Sequence, residues 1–276
     1  MRADLHVHSS ASDGTDPPAE VMRRAAAAGL DAVALTDHDT VAGHAEAYRA
    51  LPGTLTLVPG MELSCRLQGR SLHLLAYLFD PGDAELAAEI SRIRDDRVLR
   101  ARAMVRRLAD LGAPVTWDQV AAIAGPAVVG RPHIARAMAA SGVIAEPGAA
   151  FTTEWIGHGG RAYVGRYALD PVRAIGLVRG AGGVAVLAHP RAGRGGAWQV
   201  PDEQIARLAA AGLAGVEAFH PDQPDTERAG LLALAGDLGL VATGGSDDHG
   251  SLTGHRVGCE TVGADAYRRL ISQAIR

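Results

Sequence analysis

Short β-type runs that end in histidine or carboxylate recur along this chain and alternate with helical stretches. Strands are expected at Ala3–His8, Ala32–Thr36, Leu55–Val58, Ser71–Phe79, Val184–Ala188, Gly215–Phe219 and Val241–Thr243. Alternation of this kind predicts an α/β fold with a mostly parallel sheet. In such a sheet the strand ends gather on one side, and side chains placed there converge. The polar residues at these ends therefore constrain the fold and the chemistry together.

Helices are expected at Pro17–Ala28, Val41–Ala50, Pro171–Arg179, Asp202–Ala211, Thr226–Leu238 and Ala264–Ile275. Proline at the start of the first and Gly29 after its end follow the usual asymmetry of helix termini. Between about Gly82 and Gly160 the rhythm breaks: Asp83–Leu111 reads as one long helix, with shorter helices at Trp117–Ala124 and Pro132–Ala140. Residues 82–160 are expected to form a helical insertion lobe covering the mouth of a barrel built from residues 1–81 and 161–276.

Composition removes several classes. The 276 residues, 47% hydrophobic, suffice for a large core but hold no apolar run long enough to span a bilayer. The N-terminus has no signal-peptide stretch, and Cys65 and Cys259 suggest neither a disulfide framework nor a thiolate metal site; a cytoplasmic protein is expected. A net charge of −4 gives no global attraction to nucleic acid or membrane. All 27 basic residues are Arg, which excludes a Schiff-base lysine, a P-loop lysine and a carboxylated-lysine metal bridge.

The chemistry concentrates in Asp4-Leu5-His6-Val7-His8. Strand alternation puts Asp4, His6 and His8 on one face, with Leu5 and Val7 turned into packing. Two imidazoles about 7 Å apart along a strand face can grip one metal ion. Other β-type runs supply Asp37, His38 and Asp39, then Glu62, His73, His189, and finally Asp247, Asp248 and His249. Burying so many imidazoles and carboxylates is costly unless metals or hydrogen bonds compensate. A shell of nitrogen and oxygen donors without sulfur suits Mn, Fe or Zn.

The segments DLHVHSSASDGT, LTDHDT, GMELS, HLLAY, AHP and GGSDDHG, in this order, resemble the PHP (polymerase and histidinol phosphatase) domain family across nearly the whole chain. GRPHIARAM, VEAFHPD and the insertion make it most similar to the stand-alone phosphatases of 3',5'-bisphosphonucleosides. The resemblance implies a distorted seven-stranded (β/α) barrel and three divalent metals per chain, Mn favoured, with Fe, Zn or Mg as alternatives. Carried over to this sequence, one metal takes His6, His8, Glu62 and Asp247; a second takes Asp13, His38 and His249; a third takes Glu62, His73 and His189. Glu62, Asp247 and His249 are expected to carry catalysis, with a metal-bound hydroxide attacking the 3'-phosphate of a nucleotide such as adenosine 3',5'-bisphosphate.

Asp4 and Asp37 are expected to orient ligand imidazoles, Asp39 to cap the helix near Thr40, and Asp248 not to be a ligand. His220 has two readings, a substrate contact and a structural hydrogen bond, whereas His44, His158 and His255 read as ordinary polar residues. On the long helix Arg97 and Arg100 share a face. With Arg131 and His133, which match the family's substrate-binding segments, they are expected to clamp a second phosphate; Arg166, Arg191 and Arg194 are weaker candidates. Expected partners are small phosphorylated nucleotides and short oligonucleotides, with no membrane and no obligate protein partner. The alternatives are a histidinol-phosphate phosphatase, a mononuclear amidohydrolase and a non-catalytic metal-binding module.

Overall fold

The computed structural model describes residues 1–192 and 198–274, so Arg194 and the expected helix end at Ile275 lie outside the described residues. The chain divides into two compact units, residues 1–89 with 168–276, and residues 90–167.

The first unit is built on β1 (Ala3–Val7), β2 (Ala32–Leu35), β3 (Thr56–Leu67), β4 (Arg70–Tyr77), β5 (Val184–Leu187), β6 (Gly215–Phe219) and β7 (Val241–Gly244). They follow one another in the sheet in chain order. The end of β1 is tied to the segment after β7, with His8 N donating to Asp248 O at 2.9 Å and Asp247 N to His6 O at 2.8 Å. The result is a nearly closed, distorted seven-stranded barrel.

The sheet is mostly parallel, as expected; the exception is β4, which runs antiparallel to both β3 and β5. The cause is local. Gln68 and Gly69 both adopt positive φ (49° and 79°), the conformation of a two-residue hairpin turn, and strands joined so tightly can only run antiparallel. The third strand also continues well past its expected end at Val58. Thr56–Pro59 pairs with β2, and from Gly60 onward the same strand pairs with β4. A Cβ at Gly60 would lie 2.9 Å from Thr36 Cγ2 and 3.0 Å from Tyr77 Cδ1, so glycine permits the close approach that transfers pairing from one neighbour to the other.

The first unit also holds α1 (Pro18–Ala27), α2 (His44–Arg49), α6 (Pro171–Gly180), α7 (Asp202–Ala210), α8 (Asp225–Asp237) and α9 (Ala264–Ile271). Helix α2 is shorter than expected, because Val41–Gly43 precedes it outside the helix. Between Asp4 and Val7 the register of β1 shifts against β2, the signature of a bulge. The bulge breaks simple alternation: Leu5 packs with Ala3, Leu75, Tyr77 and Val186, but Val7 packs in a separate cluster with Val21, Met22 and Leu35.

In the second unit α3 (Ala84–Asp110) arrives from the first and is followed by α4 (Trp117–Ala124) and α5 (Arg131–Ala140). Met104, Leu108, Val120, Ile134, Met138 and Ile156 form its buried core. Thr116 and Gln119 close a reciprocal capping box that starts α4. No helix among the described residues is long and apolar enough to cross a membrane.

Candidate metal centre

The first unit brings together all nine expected metal-binding residues. His6 comes from β1 and His8 follows it directly, Asp13 lies in the loop beyond, His38 follows β2, Glu62 and His73 lie in the β3–β4 hairpin, His189 follows β5, and Asp247 and His249 lie in the segment after β7. Their donor atoms form three groups: His6, His8, Glu62 and Asp247; His8, Asp13, His38 and His249; and His38, Glu62 and His73. His189 joins no group as compact as these, but its Nε2 lies 3.1 Å from Glu62 Oε1.

The first group has a specific shape. His6 Nε2 lies 3.1 Å from His8 Nε2, 3.3 Å from Glu62 Oε2 and 3.4 Å from Asp247 Oδ1. His8 Nε2 lies 3.1 Å from the same Glu62 oxygen and 3.2 Å from the same Asp247 oxygen. A tetrahedral ion with bonds of 2.0–2.1 Å separates its ligands by about 3.3 Å. These five edges therefore fit a four-coordinate divalent ion. The second group is looser, with Asp13 3.3 Å from His249 Nε2 and 3.8 Å from His38 Nε2.

Glu62 sits at the junction. Its Oε2 faces His6, His8 and His38, its Oε1 faces His73 at 2.6 Å and His189 at 3.1 Å, and the residue is 1% exposed. Its Oε2 and the Nδ1 atoms of His8 and His38 are buried without a hydrogen bond of good geometry. Such atoms are costly unless something else satisfies them.

Protons serve this cluster poorly. Burial acts against a charged His8, but its hydrogen bonds to Asp247 and Glu62 hold it up at about 10. Burial drives His38 down to about 3 despite Glu62 and Asp13, although its ring centroid is only 4.7 Å from that of His8. Burial would raise Glu62, yet His38, His73 and His6 hold it well below the usual carboxylate range. Neighbouring imidazoles thus cannot be charged alike, and divalent ions would replace that strained proton arrangement.

Residues around the donors fix their orientation. His249 Nδ1 donates to Asp247 O at 3.0 Å, because a carbonyl can only accept, which leaves Nε2 facing Asp13. Asp4 and Asp37 do not act on imidazoles as expected, because their oxygens are taken up by loop backbone and hydroxyls. Asp4 accepts from the N–H groups of His6, Ser246 and Gly258, and burial raises it to about 6 against those hydrogen bonds. Asp37 accepts from Ser9 N, Ser9 Oγ and Ser12 Oγ, holding the loop that carries Asp13. Asp39 caps no helix; it accepts from Ser64 N and Oγ, both at 2.7 Å, and braces β3 beside Glu62. Asp248 accepts from Gly250 N, Thr253 Oγ1 and Arg256 N, shaping the turn that carries His249.

The structural reading of His220 is realised: Nδ1 accepts from Asp222 N, so Nε2 bears the proton and faces Asp247 Oδ2 at 3.3 Å. Sequence reasoning missed Glu217, a fully buried carboxylate on β6 whose oxygens lie 3.1 and 3.3 Å from His6 Nδ1. Its signal was one acidic residue in the otherwise apolar run Gly-Val-Glu-Ala-Phe.

The second unit gathers the expected phosphate-binding residues. Arg97, Arg100 and Arg131 line one recess with Gly130 at the start of α5, and Arg97, Arg100 and His133 are at least nine-tenths buried. Arg100 is pushed down to about 9 by burial and then by Arg131, Arg166 and Arg97. Its Nε donates to Val164 O at 2.8 Å, and His133 Nδ1 accepts from Gly130 N at 2.9 Å. Arg191, in the first unit, is engaged by Val200 O and Asp202.

Comparison with known proteins agrees with this geometry. Residues 4–108 match the PHP domain family. A "5'-3' exoribonuclease" of Haemophilus influenzae is 34% identical over 89% of this chain and 89% of its own length. A "3',5'-nucleoside bisphosphate phosphatase" of Chromobacterium violaceum is 32% identical over 99% of this chain and 98% of its own. The crystal structure of a protein from Bifidobacterium adolescentis, described as a metal-dependent phosphoesterase, superposes with a TM-score of 0.93 at 33% identity, covering 99% of this chain and 96% of that one. The fold and centre are those of a metal-dependent phosphoric ester hydrolase. The chain belongs to the PHP domain family.

Proposed function

We propose that this enzyme removes the 3'-phosphate of 3',5'-bisphosphonucleosides, holding the 5'-phosphate on Arg97, Arg100, Arg131 and His133. The observation that carries this reading is the arginine cluster of the second unit. Two buried guanidiniums, Arg97 and Arg100, crowd with Arg131, and an anion in the recess would offset their mutual repulsion. Arg meets phosphate bidentately, and Arg97, Arg100 and Arg131 line one recess. A phosphate under attack is held by metals, so this second cationic site calls for a second phosphate.

His6, His8, Glu62 and Asp247 would hold one ion, Asp13, His38 and His249 a second, and Glu62, His73 and His189 a third. When bound, the divalent ions supply Lewis acidity toward the phosphoryl group and activation of water. The sulfur-free donor set suits Mn, Fe or Zn, and the family resemblance favours Mn. Glu62 ties two of the three sets together through its two oxygens. His220 steadies Asp247 by donating from Nε2, and Asp248 fixes the turn that presents His249. The relative from Haemophilus influenzae, named a 5'-3' exoribonuclease, supports short oligonucleotides as a second class of substrate.

The test is a substrate panel on Mn-reconstituted enzyme. Adenosine 3',5'-bisphosphate should give AMP with the highest kcat/KM, ahead of histidinol phosphate and p-nitrophenyl phosphate. A preference for histidinol phosphate would overturn the assignment.

A further inference from the structure

Glu217 reaches two of the expected ligands at once. From β6 its carboxylate faces His6 Nδ1 at 3.1 Å through Oε1 and 3.3 Å through Oε2. Oε2 also accepts the backbone N–H of His189 at 2.9 Å. Oε2 thus already accepts from a backbone N–H, and a carboxylate oxygen facing an imidazole nitrogen accepts its hydrogen, so His6 Nδ1 carries the proton. That leaves His6 Nε2 for the cluster with His8, Glu62 and Asp247.

The second contact does different work. His189 has φ of 28°, a conformation unfavourable for any side chain larger than glycine's. A charge-assisted hydrogen bond on its N–H compensates that strain and holds the loop where the ring reaches Glu62. Gln223 completes the brace, donating from Nε2 to Glu217 O and Ala218 O and accepting from Arg191 N through Oε1.

We infer that Glu217 is a positioning residue that sets the ring orientation of His6 and the backbone of His189 together, so that it couples two of the metal sites. This rests on the reading of His6 and His189 as ligands. The role requires two acceptor oxygens in a fully buried place. Glutamine offers one. In Glu217→Gln the amide NH2 must face either the His189 N–H, donor against donor, or His6 Nδ1. The second arrangement moves the His6 proton to Nε2 and blocks the metal-binding nitrogen.

Two measurements test this. In a chelator titration followed by elemental analysis, Glu217→Gln should release two of three ions at chelator concentrations about 10–100-fold lower than wild type, leaving the third unchanged. Release of all ions at wild-type concentrations would overturn the inference, as would weakening of only one. In wild-type protein loaded with diamagnetic zinc, ¹⁵N NMR of the histidine rings should show His6 protonated at Nδ1 and metallated at Nε2, a signature that general damage to the fold does not produce. This second reading stands even if the variant does not fold. Metallation at Nδ1 would refute the role of Glu217 while keeping His6 as a ligand. A ring metallated at neither nitrogen would remove His6 from the ligand set, and the inference with it.

Discussion

Replacing Arg131 by alanine separates phosphate recognition from general damage. A hydrogen bond from Arg to phosphate is charge-assisted, and losing one costs about 1.5–3 kcal/mol. At 1.36 kcal/mol per factor of ten, kcat/KM for adenosine 3',5'-bisphosphate should fall roughly 10–150-fold. The assay compares kcat/KM for the bisphosphate with that for p-nitrophenyl phosphate, which lacks a second anion, in wild type and variant. The ratio of the two should drop by the factor above. Equal losses on both substrates would refute the clamp.

Two further outcomes follow from the metal centre. Glu62→Gln should lose two ions by elemental analysis, with an affinity loss beyond the roughly 10–100-fold typical of partners outside the coordination shell, because five imidazoles share that one carboxylate; wild-type metal content would contradict the bridging role. In the metal-free protein His8 is raised to about 10, so its stabilising contribution is complete below about 6.5 and disappears as pH rises through about 10. Asp4, raised to about 6, acts in the same sense at lower pH. Calorimetry should show the chelated protein losing stability from pH 7 to 10 while the metal-loaded protein changes less, and a chelated protein more stable at pH 9 than at pH 6 would contradict this.

Most candidate donors stood out because they close β-type runs or lie beside them, whereas Asp13 and the division into three sets came from the resemblance to the PHP family. What escaped depended on register and on distant partners. Glu217 meets His6 across 211 positions in sequence, and the apolar run around it marks it as unusual without naming its partner. Asp4 and Asp37 looked like partners for imidazoles because they neighbour histidines in sequence, and Asp39 looked like the cap of the helix after Thr40. The bulge in β1 and the positive φ of Asp39 help turn these carboxylates to backbone and hydroxyl donors instead. The third strand was expected to end at Val58; Pro59-Gly60 instead mark an exchange of pairing partners, so its continuation to Leu67 was missed. The arginine cluster was legible as a helical face plus a second segment, but its burial was not.

Asp39, His189 and Asp247 all hold left-handed backbone conformations (φ 52°, 28° and 47°) in which glycine would sit with less strain. Each such residue costs on the order of 1–3 kcal/mol. Gln68, Leu78 and His255 share this conformation elsewhere, but at the three positions of the centre a search for more stable variants would drift toward glycine. Thermal tolerance and catalytic competence then pull this sequence in opposite directions. A stabilised version would have to find its gains elsewhere, in the helices and the hydrophobic clusters, leaving these three strained positions as they are.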